Sequence, residues 1–334
     1  MSTLKDVAAL AGVSKATASL ALNNGRVNAE TRKRVVLCAQ QLRYVPNRIG
    51  RTLTTGRSQV VEFLIMTSGR YADTVRHTAL FYYLLEGVLS VVDEAKYSVH
   101  FNVRSHEDPG LEEYLEQAVG EHMLDGMIIV PQYRTEAPFL EILRHGSLPY
   151  VLLSPQRFAK GLNYIDMKNR HGGRIVADLL HRSGRRRIAM INGPPSHFDA
   201  IEREAGFALG LKIAGIGHFS RLFGDFTIES GYSAMGEMLK GPMPDSVFCA
   251  NDYMAAGAIK MLYEKGIRVP HDVSVIGYDN SDAARIVTPS LTSVDNHFLE
   301  VGRLLAEELL ACIDGGDRPI KRTLMPVLVE RDSH

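Results

Sequence analysis

Apolar residues in most of the chain form short continuous runs, and the segments between these runs show helical periodicity. Continuous runs favour the strands of a parallel sheet, which are buried on both faces. These runs lie at 60–66, 98–103, 126–130, 150–153, 187–192, 246–250 and 273–277. The periodic segments predict helices at 80–95, 111–121, 172–182, 201–214, 228–239, 253–265 and 299–313. This alternation predicts an α/β fold with two doubly wound halves.

The first 45 residues follow a different pattern, which predicts three short helices. Each periodic segment begins after a residue that can cap a helix: 4–11 after Thr3, 15–22 after Ser14 and 29–42 after Asn28. The side chains expected to pack between these helices are Val7, Ala8, Leu10, Val13, Ala18 and Leu22. Two helices that meet at a tight turn, Gly12, and a third that supports them are typical of a DNA-reading module. A small three-helix interaction module would show the same pattern.

Charge is divided unevenly along the chain. Residues 1–58 contain ten Lys or Arg against two acidic residues, a net charge of +8, while the rest of the 334-residue chain carries −8 and the total is zero. A basic module attached to an acidic body predicts that the module contacts a polyanion. A solvated face that only improves solubility is the alternative interpretation.

Other classes of protein find little support. The longest nearly apolar stretch, 79–92, is interrupted by Glu86 and Ser90 and is shorter than the roughly 20 residues that a membrane span needs, so we expect no membrane contact. The N-terminus shows no export signal, which predicts a cytoplasmic protein. Phosphate-loop, zinc-protease, nucleophile-elbow and dinucleotide motifs do not occur, and the twelve histidines lack metal-ligand spacing. We therefore expect no catalytic residues, no cofactor and no metal, and we expect reduced thiols at Cys38, Cys249 and Cys312.

Ordered motifs along nearly the whole chain resemble one family of transcription regulators. In the first part they are TLKDVA at 3–8, AGVS at 11–14, TAS at 17–19, YVPN at 44–47 and RTL at 51–53. In the body they are GG at 172–173, RRIAMINGP at 186–194, ND at 251–252 and VIGYDN at 275–280. The chain resembles the LacI/GalR family. The resemblance implies a helix-turn-helix DNA-binding domain and a hinge helix, followed by a two-subdomain core of doubly wound parallel sheets like that of periplasmic binding proteins.

The resemblance also implies how the first part meets double-stranded operator DNA. The second helix would enter the major groove, and residues 46–53 would form the hinge helix when two subunits bind as a homodimer. About eight residues are too few for a stable isolated helix, so folding of the hinge can depend on DNA and on the partner. The DNA-binding residues implied are Thr3, Ser14, Lys15, Ala16, Thr17, Ser19, Asn23, Tyr44, Asn47, Arg48, Arg51 and Leu53.

Three of these first-part positions need comment. Leu53 would be the apolar wedge pushed between base pairs, and its alternative role is packing against the body. Gly50 stands where the family commonly has alanine, so the hinge helix is expected to fold reluctantly. Leu20 stands where arginine is frequent, which leaves Lys15 as the only cation on the reading face and leaves the operator sequence open.

In the body, the resemblance implies a small-molecule effector between the two subdomains. Arg203 would clasp it, Asn251 and Asp279 would hydrogen-bond it, and Phe226 would form an aromatic wall. A forked Arg donor opposite carboxylates suits vicinal hydroxyls or a carboxylate, and an aromatic face suits a sugar ring. Arg203 and Asp279 could instead form only a buried salt bridge, and Phe81 could pack in the core. The effector-binding residues implied are Ser68, Phe81, Ser154, Asp199, Arg203, Phe226, Asn251 and Asp279.

These patterns lead to one interpretation with two rivals. We expect a DNA-binding domain at 1–45, a hinge and linker at 46–59, and an effector-binding and dimerisation core at 60–334. The N-subdomain is expected at about 60–160 and 292–322, and the C-subdomain at about 161–291 and 323–334. The function predicted is a repressor whose operator affinity is controlled by a small molecule, a sugar or sugar derivative. The rivals are a solute receptor without DNA regulation and a two-domain α/β hydrolase or transferase.

Overall fold

The structure, a computed structural model, describes residues 2–23, 25–44, 56–67, 80–120, 123–132, 138–154, 161–316 and 318–334. The chain divides into two compact units. The first comprises Met1–Gln59 and Glu121–Asp125, and the second comprises Val60–Gly120 and Gly126–His334.

In the described part of the first unit there are three helices with side-chain caps. They are α1 (Leu4–Ala11), α2 (Lys15–Leu22) and α3 (Ala29–Gln41). The side chains of Thr3, Ser14 and Asn28 accept hydrogen bonds from the backbone amides three residues later, as the sequence predicts. The Asp6 carboxylate completes a capping box by accepting from the Thr3 amide at 2.8 Å. Local chemistry therefore determines where these helices begin.

The core of the first unit is small and consists mainly of short side chains. Val7, Ala18 and Val35 are fully buried. The prediction that Leu10 packs in this core is wrong, because its side chain is 48% exposed. Successive helical residues are rotated by about 100°, so that Ala11, next along α1, points to the core instead.

The second unit alternates strands and helices. Up to residue 167 they are β1 (Val60–Thr67), α4 (Leu80–Val92), β2 (Ser98–Ser105), α5 (Leu111–Gly120), β3 (Gly126–Pro131), α6 (Pro138–His145), β4 (Tyr150–Leu153) and β5 (Tyr164–Met167). Next come α7 (Asn169–Arg182), β6 (Ile188–Asn192), α8 (Phe198–Ile213), β7 (Ser220–Phe223), α9 (Ile228–Met238), β8 (Ser246–Cys249), α10 (Asp252–Glu264) and β9 (Ser274–Tyr278). The last are α11 (Asp282–Ile286), β10 (Thr292–Asp295), α12 (Phe298–Ile313), β11 (Lys321–Leu324) and β12 (Val327–Val329).

These strands form two sheets, each the centre of a lobe. In the described residues the first sheet has the order β11-β5-β4-β3-β1-β2 and is parallel throughout. The second has the order β12-β10-β9-β8-β6-β7 and is parallel except for β12, which pairs antiparallel with β10. The predicted α/β fold with two doubly wound halves is confirmed.

The chain crosses between the lobes after β5, after β10 and after β11. The sequence placed the first two crossings at about residues 160 and 291, but β5 pairs with β4 in the first sheet and β10 pairs with β9 in the second. Both strands have only four residues, and neither forms a long apolar run. The sequence pattern therefore missed both strands and placed each crossing before the strand that it follows.

The lack of a long apolar run also explains why other strands were missed. β7 and β11 are short strands with mainly exposed or half-buried side chains, so they lack the continuous apolar pattern of buried strands. The sequence pattern also missed β12 and the helices α6 and α11. Six of the seven apolar runs that were recognised correspond to interior strands of a sheet and the seventh to the edge strand β2, and their ends lie within two residues of the prediction.

Each sheet has a point where the strand order reverses. In the first sheet this point lies between β1 and β3, and in the second it lies between β6 and β8. Ligands of doubly wound folds bind beyond the carboxyl ends of the strands at such a point. The loops after β6, β8 and β9 are therefore the place to look for a site in the second lobe.

Candidate functional site

Arg203 is the centre of a buried polar cluster at this edge of the second sheet. Its side chain is 3% exposed, its Nε donates to the Asn169 Oδ1 at 2.9 Å, and its Nη1 donates to the Ala250 carbonyl oxygen at 2.5 Å. Nη2 lies 3.3 Å from the Asp279 Oδ1 and 3.9 Å from the Asp199 Oδ2. The guanidinium group is therefore held in one orientation by three separate segments and by its own helix.

The charges around Arg203 are unequal, because two carboxylates face one guanidinium group. Burial raises the pKa of Asp279 above its ordinary value, the positive charge of Arg203 opposes this rise, and the carboxylates of Asp252 and Asp199 add to it. The side chains of Asp199 and Asp279 remain 14% and 16% exposed. The structure contains the Arg203–Asp279 salt bridge, and these two carboxylates keep accessible edges that could accept hydrogen bonds from hydroxyl groups.

An aromatic wall lies beside this cluster. The rings of Phe226 and His197 are 4.8 Å apart between centroids and meet at 70°. A Cβ on Gly193 would lie 2.2 Å from the Phe226 Cζ, so only glycine permits this position of the ring. Phe226 has a φ of 69°, and its carbonyl oxygen accepts a hydrogen bond from the Asn251 Nδ2 at 2.9 Å, which fixes the strained backbone.

The other predicted effector residues are engaged elsewhere. The Asn251 Oδ1 caps α10 by accepting from the Met254 amide at 2.9 Å, so both polar atoms of this side chain have partners within the lobe. Ser154 lies in the first lobe, and its Oγ accepts from the Met167 amide at 3.2 Å. Phe81 is 4% exposed and belongs to the core of the first lobe, which agrees with the packing alternative. Ser68 lies outside the described residues.

Sequence reasoning did not single out Asn169 or Asp252 as site residues. The Asn169 Nδ2 donates to the Asp199 Oδ1 at 2.9 Å, and its Oδ1 accepts from Arg203, so this amide joins the two charged groups. The helix was predicted to begin at residue 172, which left Asn169 outside it, although a polar residue that begins a helix after a strand is a recognisable signal. Asp252 lies in the ND motif, but nothing local indicated its partners.

Asp252 holds the loop that carries Asp279. Its carboxylate is 1% exposed and accepts from the Ser281 amide at 2.7 Å, the Ser281 Oγ at 2.9 Å and the Ser293 Oγ at 2.6 Å. Burial raises the pKa of Asp252 to about 6, and the donating hydroxyl and amide groups oppose this rise. Asp252 thereby ties α10, the loop after β9 and β10 together at the edge of the cleft.

In the first unit, the start of α2 is exposed and carries polar side chains. The side chains of Ser14, Lys15 and Ala16 are exposed, whereas Thr17 and Ser19 are half-buried. The Ser14 Oγ accepts from the Thr17 amide at 3.0 Å and lies 2.9 Å from the Thr17 Oγ1. Within the part of the chain that the structure describes, no carboxylate forms an ion pair with Lys15. The exposed start of α2 is a surface on which a cation and hydroxyl groups are available to a ligand.

The remaining predicted DNA-binding residues have mixed positions. Thr3 caps α1, the Asn23 Nδ2 donates to the Ser19 Oγ at 3.3 Å, and Tyr44 packs against the three-helix core. Leu20, where arginine is frequent in similar chains, is 41% exposed. The hinge residues implied by the resemblance lie outside the described residues, and they are Asn47, Arg48, Arg51 and Leu53.

Membrane-spanning helices and metal-binding clusters are both absent from the described residues. None of the helices there is long and apolar enough to span a membrane. No group of three or more His, Cys, Asp or Glu side chains in the same residues could hold a metal ion. The three cysteines are free thiols, and Cys249 is buried.

Comparisons with known proteins agree with the three-helix unit and the two-lobed body. Residues 3–47 match the model for bacterial regulatory proteins of the lacI family, and residues 177–334 match a periplasmic binding protein-like domain. The HTH-type transcriptional regulator CelR of Thermobifida fusca is 35% identical, with 99% of this chain and 98% of CelR covered. The ribose operon repressor of Escherichia coli strain K12 is 31% identical, with both chains covered completely.

Solved structures give the same result. A structure titled transcriptional regulator CelR-cellobiose complex is 30% identical, with a TM-score of 0.72 and full coverage of both chains. The lac repressor dimer bound to operator and the anti-inducer ONPF is 26% identical, with a TM-score of 0.85 and coverage of 99% of this chain and 98% of that one. Neither a solute receptor without DNA regulation nor an enzyme is favoured. The chain belongs to the lacI family of bacterial regulatory proteins, and it is a DNA-binding transcription regulator as its sequence predicts.

Proposed function

We propose that this chain is a repressor that binds operator DNA as a homodimer and responds to a neutral, hydroxyl-rich sugar bound beside Arg203 and Asp279. The observation that carries the choice of ligand is the pairing of one buried guanidinium group with two partly accessible carboxylates, next to the aromatic wall of Phe226 and His197. Carboxylates accept hydrogen bonds from sugar hydroxyls, whereas they repel a second carboxylate.

Two relatives support a neutral sugar. The CelR structure is titled as a complex with cellobiose, and another relative is named a ribose operon repressor. Cellobiose and ribose carry no charge. We expect this chain to bind a compound of that class, in the cytoplasm where the operator is, and to lack enzymatic activity.

A repressor controlled by an effector needs a DNA-binding part and an effector-binding part. We assign DNA binding to residues 1–45, the hinge and linker to 46–59, and effector binding and dimerisation to 60–334. The separation of Met1–Gln59 from most of the chain as a compact unit supports the first division. The site residues in each part are assigned on the resemblance together with the positions described above.

A thermal-shift panel tests the choice of ligand. The purified chain is melted with cellobiose, D-ribose or D-glucuronate, the last as a charged comparator. A ligand at 100 times its Kd stabilises the folded state by about 2.7 kcal/mol, so binding of a neutral sugar should raise the melting temperature visibly. A rise with D-glucuronate alone would contradict the charge argument.

The substitution Asp279→Asn tests the site. It removes one of the two carboxylates that face Arg203, so the effector-induced change in operator affinity should be lost, while operator affinity without effector stays within about twofold because α2 is unchanged. Gel-shift titrations with and without the sugar that raises the melting temperature measure both quantities. Asp272→Asn is the matched control, since that half-buried carboxylate pairs with Arg268 away from the cluster. A normal response in Asp279→Asn would place the effector elsewhere.

A further inference from the structure

One loop of the second lobe, residues 279–282, contacts both the polar cluster and the first lobe. At its start, the Asp279 Oδ1 lies 3.3 Å from the Arg203 Nη2. At its end, the Asp282 amide donates to the hydroxyl oxygen of Tyr83 at 3.2 Å. Tyr83 belongs to α4, whose side chains pack in the core of the first lobe. Only two residues of chain, Asn280 and Ser281, therefore separate the effector cluster from a contact between the lobes.

This loop is firmly held. The Asp252 carboxylate accepts three hydrogen bonds from Ser281 and Ser293, as described above. Asp279 and Asn280 have φ values of 100° and 49°, which non-glycine residues adopt only when surrounding contacts enforce them. A movement of Asp279 is therefore passed along the loop more readily than it is absorbed within it.

Asn280 fastens the middle of the loop to three further groups. Its amide donates to the Ser293 Oγ at 3.0 Å, and its Nδ2 donates to the Asp295 Oδ2 at 3.0 Å. Its Oδ1 accepts from the Arg331 Nη2 at 2.5 Å. The loop thus moves with β10 and with the chain near Arg331, which joins Asp279 to Asp282 as one rigid segment.

The helix that carries Arg203, α8, also makes a contact between the lobes. The Phe198 amide at the start of α8 donates to the Gln132 carbonyl oxygen at 3.1 Å, and Gln132 follows β3 of the first lobe. The same helix carries Asp199 and Arg203. Arg203 lies five residues along α8 from one hydrogen bond that crosses between the lobes, and Asp279 lies three residues from another.

We propose that the loop 279–282 couples the effector cluster to the contact between the lobes, and that the Tyr83 hydroxyl is its receiving group in the first lobe. This proposal rests on the proposed function, because it treats the Arg203–Asp279 cluster as the effector site. A sugar that takes hydrogen bonds from both lobes favours their closed arrangement, in which the Asp282–Tyr83 bond forms. Tyr83 is thus a positioning residue for the response and does not itself need to touch the effector.

Amide exchange tests the coupling without any ligand. A single hydrogen bond contributes a net free energy equivalent to about a 2- to 10-fold change in an equilibrium constant. Tyr83→Phe should therefore speed hydrogen–deuterium exchange of the Asp282 amide by about that factor. Tyr82→Phe is the matched control, because Tyr82 is the neighbouring residue, is 67% exposed and contacts the Tyr83 ring only edge to face. Circular dichroism melts establish that both variants are folded.

The link to the cluster is tested with Asp279→Asn. If the loop transmits the state of the cluster, this substitution also speeds exchange of the Asp282 amide. The double variant should then speed exchange of the Asp282 amide by less than the product of the two single-variant factors, because both substitutions act through one contact. Unchanged exchange at Asp282 in Tyr83→Phe, or separate effects that multiply, would overturn the proposal.

An operator titration with cellobiose as the probe addresses the regulatory consequence. In the wild type, cellobiose should change operator affinity, and in Tyr83→Phe that change should shrink by about 2- to 10-fold with operator affinity in its absence preserved. A wild-type response that Tyr83→Phe leaves intact overturns the coupling. If the wild type ignores cellobiose, the choice of that sugar fails, and the amide exchange of Asp282 still decides whether the loop and Tyr83 are coupled.

Discussion

Burial and neighbouring charges together decide the charge of individual side chains around the cleft. Burial by itself lowers the pKa of Arg203, but attraction to Asp279 and Asp199 outweighs it and the pKa rises above its ordinary value. His197 lies beside the same groups, and there burial prevails and lowers its pKa from 6.5 to about 4. The cleft therefore presents a permanent cation and a neutral imidazole at physiological pH.

His197 makes the stability of the fold depend on pH. Its pKa is lower in the folded chain than in the unfolded chain, so its contribution is full above pH 6.5 and is lost as the pH falls to about 4. The loss should reach about 3 kcal/mol in the free energy of unfolding, measured by urea denaturation. His197→Gln should lack this part of the acid dependence, whereas the exposed His218→Gln should retain it. Identical acid profiles for wild type and His197→Gln would show that burial of this ring has no such effect.

Among the secondary-structure elements, close contacts between helices position the site. The helices α7 and α8 cross where a Cβ on Gly173 would lie 1.9 Å from the Arg203 carbonyl oxygen, and one on Gly206 would lie 1.8 Å from the Arg170 carbonyl oxygen. The pairs α4–α12 and α9–α10 also meet at glycines. In the first pair, the close approach brings the backbone of Arg203 against the helix that begins with Asn169.

Gly173→Ala tests whether this crossing matters for the site. The added methyl group meets backbone, which cannot rotate away, so α8 must shift and carry Arg203 with it. We expect a loss of about 1 to 3 kcal/mol in the free energy of unfolding and weaker effector binding. Denaturant melts and sugar titrations measure the two effects. Gly217→Ala is the control, since nothing lies within 4 Å of its Cβ, and equal stability of the two variants would count against the close crossing.

The whole molecule separates charge between its parts, with +8 on residues 1–58 and −8 on the rest. A polyanion such as DNA attracts the first part and repels the second. Lys15, at the start of the helix that we propose reads the DNA, is exposed. The salt dependence of nonspecific DNA binding should therefore come from the Lys and Arg residues of the first part alone.

Salt titrations of operator binding test this separation. Each phosphate contact adds about −0.9 to the slope of log affinity against log salt, because binding releases condensed counterions. Lys15→Ala should make the slope shallower by about 0.9 if this side chain contacts a phosphate. Lys212→Ala, which changes an exposed lysine of the acidic part, should leave the slope unchanged. If the slope changed in Lys212→Ala and not in Lys15→Ala, the acidic part would contact DNA, and the proposed division of the chain would be wrong.

The sequence by itself determined the local features of this protein. The limits of α1 and α2 and the caps at Thr3, Ser14 and Asn28 match the structure because a cap and its helix lie within a few residues of each other. The central strands were recognised because burial on both faces requires a continuous apolar run. The expectation that Arg203 clasps an effector came from the family resemblance and not from any pattern in the residues.

Only the tertiary structure decided which distant residues meet. The short strand β5 takes its place from pairing with β4 and β11, and Leu10 points outward because Ala11 takes the core position. Asp252 joins Ser281 and Ser293 across 29 and 41 residues of chain. Asp282 reaches Tyr83 across 199 residues. Such contacts depend on how sheets and helices pack, and no periodicity within a short window of sequence records them.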